Sequence, residues 1–137
     1  MRVTNKPILL VEDDQVDMMT VIRALKQIHV TNRVVHLENG EDALNYLRDE
    51  KSEKPCIILL DLNMPIMNGI EFLQAAKGDE QLRRVPVVVL TTSDEQHDKL
   101  NSFNFSVAGY MSKPVDYQQF VEVMRPINAY WTISEMP

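Results

Sequence analysis

Five short apolar runs, alternating with stretches of helical spacing, decide most of what this chain can become. The runs are Ile8 to Val11, Val34 to Leu37, Cys56 to Leu60, Val87 to Leu90 and, more weakly, Val107 to Met111. Strands that alternate with helices predict a parallel sheet, because parallel neighbours need a long crossover connection that a helix supplies. The runs at 56–60 and 87–90 are apolar at nearly every position and belong mid-sheet, where helices cover both faces.

The intervening stretches carry one apolar stripe each. Met18, Val21, Ile22 and Leu25 mark the first helix; Ala43, Leu44 and Leu47 the second, after an Asn39-Gly40 turn; Phe72, Leu73 and Ala76 the third. A fourth, less amphipathic, spans about 94–103, and Tyr117, Phe120, Val121 and Met124 define the fifth. Pro126 removes a helical N–H and predicts a break, with a further turn over 127–131 that carries Tyr130 and Trp131. The expected architecture is α/β: a doubly wound, five-stranded parallel sheet of order 2-1-3-4-5. At 137 residues the chain suits one domain, read as 1–131 with a short polar tail at 132–137.

A net charge of -6 argues against nucleic-acid binding, which needs a basic face to neutralise phosphates. No run approaches the length of a membrane span, and the first residues lack the pattern of a signal peptide. The single cysteine, Cys56, has no internal disulfide partner and reads as a packed strand residue. The expected location is the cytoplasm.

Reactive residues fall at the carboxyl ends of four runs, where an open α/β sheet leaves its ligand crevice. The first run stops at Glu12-Asp13-Asp14, the third at Asp61, the fourth at Thr91-Thr92-Ser93, and the fifth near Lys113-Pro114. Carboxylates from two strand ends make a hard oxygen site that a cation must neutralise, and magnesium, which needs few protein ligands, suits it better than calcium. A carboxylate can also serve as a nucleophile and form an acyl phosphate, whose oxygens a hydroxyl at 91 and an ammonium at 113 would bind.

Ordinary readings stand beside these. Acids after a strand are often loop residues or helix N-caps, although a carboxylate directly behind five apolar residues, as at Asp61, is costly without a function. Thr91 and Ser93 could cap the fourth helix, with a capping box from Ser93 to Gln96. Lys113 alone could be a surface lysine, and Tyr110 a static strand aromatic. His29, His36 and His97 lack metal-ligand spacing and suggest surface or helix-end roles. Met18, Met19, Met64, Met67, Met111 and Met124 mostly read as core filling. Tyr130 and Trp131 either fold back on the sheet edge or join a partner interface.

Five signatures in order carry a family resemblance: Leu10-Val11-Glu12-Asp13-Asp14, Leu60-Asp61-Leu62-Asn63-Met64-Pro65, Asn68-Gly69, Leu90-Thr91-Thr92-Ser93, and Gly109-Tyr110-Met111-Ser112-Lys113-Pro114. Together they resemble the receiver domains of two-component response regulators, over nearly the whole chain. The resemblance implies a flavodoxin-like (βα)5 fold and a phosphoacceptor at Asp61. It implies magnesium on Glu12, Asp13, Asp61 and the Asn63 carbonyl, with Asp14 outside the metal set. Thr91 then corresponds to the switch hydroxyl, Lys113 to the phosphoryl-binding cation, Tyr110 to the switch aromatic, and Pro114 to a residue after a cis peptide bond.

Thr92 is bulkier than the small residue many receivers place there, so crowding at Asp61 is expected to slow dephosphorylation. The Thr-Thr-Ser run, Lys113 to Asp116, and Tyr130-Trp131 resemble the single-domain regulators paired with bacterial phytochromes and related histidine kinases. That subgroup implies a sensor histidine kinase as phosphodonor and a homodimer through residues 94–131. Two rivals remain: a magnesium-dependent phosphate-ester hydrolase, for which no second acid-base carboxylate or cap is evident, and a constitutive pseudo-receiver, against which the full set Glu12, Asp13, Asp61, Thr91 and Lys113 speaks.

Overall fold

A computed structural model describes residues 6–27, 30–91, 107–112, 118–119 and 122–123, with the Thr91 side chain excepted. In chain order the elements are β1 (Ile8–Val11), α1 (Gln15–Gln27), β2 (Val34–Leu37), α2 (Gly40–Arg48), β3 (Ile57–Asp61), α3 (Gly69–Lys77), a single 3-10 turn (Leu82–Arg84), β4 (Val87–Thr91) and β5 (Gly109–Ser112). All strand pairs are parallel and the order is β2-β1-β3-β4-β5, as expected.

Strand alternation divides the apolar residues between two faces. Leu9, Val11, Ile58, Leu60 and Val89 face α2 and α3, where Leu44, Leu47, Phe72 and Leu73 complete one core. Ile8, Leu10, Ile57, Leu59, Val88 and Leu90 face the other way, against Val21, Ala24 and Leu25 of α1, with Val123 packed alongside. Residues 118–119 and 122–123 are helical, within the stretch assigned to the fifth helix. Burying each such Leu, Ile or Phe stabilises the fold by about 1.5–3 kcal/mol, so the two cores together hold the sheet rigid beneath its carboxyl edge. Both β1 and β3 are wholly buried inner strands, whereas every residue of β2 is half-buried at the sheet edge.

Several boundaries differ from the sequence reading. Cys56 stands one residue before β3, half-buried, while Asp61 belongs to the strand because it pairs with Leu90 and the Leu62 N–H still reaches the Leu90 carbonyl at 3.3 Å. Thr91 is likewise the last residue of β4, in register with Ser112, and β5 starts at Gly109 rather than Val107. Asn39 and Gly40 form no separate turn: Asn39 is the N-cap of α2, accepting from the Asp42 N–H, and Gly40 is its first residue. Met19 is exposed, since it lies about 100° around the helix from the Met18 stripe. The fourth helix, the break at Pro126, the turn at 127–131 and the tail lie outside the described residues.

The end of β5 is fastened sideways. The Gln119 side chain accepts from the Ser112 N–H at 2.8 Å and donates to the Ser112 carbonyl at 3.0 Å, so one amide takes both main-chain groups of that residue.

Candidate phosphoacceptor and metal site

The strand order reverses direction between β1 and β3, and such a switch point opens a crevice at the carboxyl ends of those two strands. Glu12 follows β1 and Asp61 ends β3, and both are buried, at 0% and 2% exposure. Asp13 is exposed. Carboxylate oxygens of Glu12, Asp13 and Asp61 all lie within 4.8 Å of one another. Three like charges at that spacing repel by on the order of 1 kcal/mol per pair even in water. A cation removes that repulsion, and three hard oxygens with solvent access on one side fit an oxygen-seeking divalent ion that keeps part of its water shell.

Local hydrogen bonds aim these groups. The Asn63 N–H donates to Asp61 Oδ1 at 3.1 Å, which orients the carboxylate. The Asp14 N–H donates to Glu12 Oε2 at 3.2 Å, and Asp14 itself caps α1, its Oδ1 accepting from the Asp17 N–H at 2.9 Å. Of the three consecutive acids, Asp14 thus takes the capping role, while Glu12 and Asp13 join the cluster.

The loop after Asp61 is held by α3. Asn68 caps that helix, accepting from the Glu71 N–H at 2.9 Å, while Glu71 Oε1 accepts from the Asn68 N–H at 3.1 Å in a capping box. Gly69 comes so close that a Cβ there would lie 2.6 Å from the Asp61 carbonyl oxygen and 2.7 Å from Leu62 Cα. Within the loop the Met67 N–H donates to the Pro65 carbonyl at 2.7 Å around Ile66, whose φ of 66° is unfavourable for a β-branched residue.

Thr91 reaches the same end of the sheet through its backbone, beside Ser112; its side chain, and Thr92, Ser93, Lys113 and Pro114, lie outside the described residues. Tyr110 is half-buried on β5, paired with Val89 and packed against the α2–α3 core. One neighbour was not legible in the sequence. The His36 ring approaches the Glu12 main chain from β2, and only the parallel register that sets Leu10 beside His36 brings the two together.

A family model of the response regulator receiver domain matches residues 8–125. Response regulator Rcp1 of Synechocystis sp. is 35% identical over 130 residues, covering 92% of this chain and 88% of that protein. The structure of bacteriophytochrome response regulator RtBRR superposes with a TM-score of 0.81 at 41% identity, over 89% of this chain and 77% of the other. The phosphorylated cyanobacterial phytochrome response regulator RcpA gives 0.79 at 35% identity, over 97% and 98%. A manganese-bound form of Rcp1 gives 0.76 at 35% identity, over 92% and 94%.

Proposed function

Because the chain belongs to the response regulator receiver domain family, we propose that it accepts a phosphoryl group on Asp61 from a sensor histidine kinase and changes shape in response. The observation that supports this most is the convergence of Glu12, Asp13 and Asp61 within 4.8 Å, with Asp61 buried at the end of an inner strand. In the transfer, a carboxylate oxygen of Asp61 attacks phosphorus, the bond from phosphorus to the donor imidazole nitrogen breaks, and the product is an acyl phosphate. Magnesium, held by Glu12, Asp13, Asp61 and the Asn63 carbonyl, would neutralise charge on the phosphoryl oxygens.

The chain's own groups do the remainder. The Asn63 N–H keeps Asp61 oriented, Lys113 balances phosphoryl charge, and the Thr91 hydroxyl binds a phosphoryl oxygen and draws its loop inward. Tyr110 then repacks on the core it already touches and passes the change to the partner face. No separate substrate turns over, since the product is the protein itself.

The resemblance to RtBRR, RcpA and Rcp1 supports a phytochrome-type kinase as the donor. It also supports a homodimer through residues 94–131, which light scattering of the phosphorylated protein at micromolar concentration would refute by showing monomer alone. We place the protein in the cytoplasm; among the described residues no helix is long and apolar enough to cross a membrane.

The test is mass spectrometry after incubation with acetyl phosphate and magnesium. One added phosphoryl group is expected, absent in Asp61→Asn and without magnesium. No adduct under any condition would favour the pseudo-receiver.

A further inference from the structure

We propose that His36, on the edge strand β2, is a positioning residue for the metal site: its imidazole fixes the main chain of Glu12 and so sets how tightly the carboxylate cluster holds a divalent cation. The inference rests on the reading of Glu12, Asp13 and Asp61 as that cation's ligands.

Two consecutive residues of β2 grip one residue of the neighbouring chain segment. The Glu12 N–H donates to the Leu37 carbonyl at 3.0 Å, and the Glu12 carbonyl oxygen stands 2.5 Å from His36 Nε2. A carbonyl oxygen can only accept, so the ring nitrogen facing it carries the hydrogen. The ladder bond is what any parallel strand would make; the second bond depends on the side chain at 36.

Its consequence follows from peptide planarity. The Glu12 carbonyl and the Asp13 N–H belong to one rigid plane, so fixing the direction of the carbonyl fixes the direction in which the chain leaves toward Asp13 Cα. Glu12 is buried in the sheet margin, but Asp13 is exposed, so burial does little to fix it. On the far side, Asp14 is tied to α1 by its capping bond and to Glu12 Oε2. The Glu12–Asp13 peptide is therefore the link whose rotation would carry the Asp13 carboxylate away from Asp61, and His36 is the group that restrains it. A ligand held in place binds more tightly than one that must be ordered by the ion.

The experiment is calorimetric titration of the full chain with Mn2+, beside melting curves without metal. Substituting His36→Leu removes the donor and is expected to weaken Mn2+ binding about tenfold, as for other groups that orient a metal ligand. His36→Gln places an amide N–H at nearly the reach of Nε2 and is expected to restore most of the affinity, whereas the shorter His36→Asn is not. A folded His36→Leu protein that binds Mn2+ as tightly as the wild type, or more tightly, would overturn the inference. Should His36→Leu fail to fold, the Gln and Asn variants carry the test, and equal affinities for those two would overturn it. Wild-type binding that Asp13→Asn abolishes but His36→Leu leaves intact refutes the positioning role alone; a wild type that binds no Mn2+ refutes the metal-site reading as well.

Discussion

Gly69, the first residue of α3, lies against the carbonyl of Asp61, with no room between them for a methyl group. The Gly69 N–H also donates to the Leu62 carbonyl at 3.0 Å, so the helix start and the strand end are one rigid corner. A Gly69→Ala protein is expected to lose about 1–3 kcal/mol of stability, the usual effect of forcing atoms into a filled space. Because the displaced atoms are those of Asp61 and Leu62, phosphorylation by acetyl phosphate should slow as well. Urea unfolding and the phosphorylation time course would check both, and an Ala variant of wild-type stability would show that the corner yields easily.

Ile66 presents the opposite case. It is 74% exposed at a positive φ, so its side chain gains little from burial while its backbone is strained by about 1–3 kcal/mol. Ile66→Gly should relieve that strain at an entropic cost of about 0.5–1 kcal/mol. The expected outcome is a small rise in melting temperature; a fall would mean that the loop needs the isoleucine.

Removing the cap at Asn68 should loosen the same loop from its helix side. Asn68→Ala removes the side-chain acceptor of the Glu71 N–H, leaving only the bond from the backbone N–H of residue 68 to Glu71 Oε1, and is expected to cost about 1 kcal/mol. Asn68→Asp keeps an acceptor for the Glu71 N–H and should cost less in the same denaturation experiment.

Charge at the acidic cluster gives a prediction whose sign reverses with metal. Without divalent cations, Asp13→Asn removes one of three mutually repelling carboxylates and should raise stability by on the order of 1 kcal/mol. With excess Mg2+ the wild type gains binding free energy that the variant largely forfeits, and the order inverts. Melting curves with Mg2+ and with a chelator would show the crossing, and parallel curves in both conditions would argue against a metal site.

Thr92 bears on phosphoryl lifetime. If its bulk shields Asp61, Thr92→Ala should shorten the half-life of the phosphorylated protein, measured by loss of the adduct mass; an unchanged half-life would discard the crowding idea.

Much of this was legible in the chain because sheet and helix impose short periods. The runs containing Leu59 and Val88 read as inner strands, and the strand order followed from alternation and crossover handedness. That Glu12 and Asp61 would meet was likewise readable, since parallel strands put their ends at one edge. What escaped depends on contacts rather than periods. His36 gave no sign of its place, because one-residue register between β1 and β2 decides whether its ring meets Glu12 or solvent. Asp14 and Asp13 are chemically the same; the family resemblance set Asp14 outside the metal group, and the capping bond to Asp17 supplies the physical reason that composition could not.

The amide of Gln119 on Ser112 has a bearing on how copies of this protein can meet. An exposed outer strand invites another strand to continue the sheet, the usual route to uncontrolled association. At the tip of β5 the groups that would template such an addition are already satisfied from within the chain. A second strand laid along this edge would find no free main-chain group at Ser112, so a contact between copies at that tip would rest on side chains rather than on a backbone ladder.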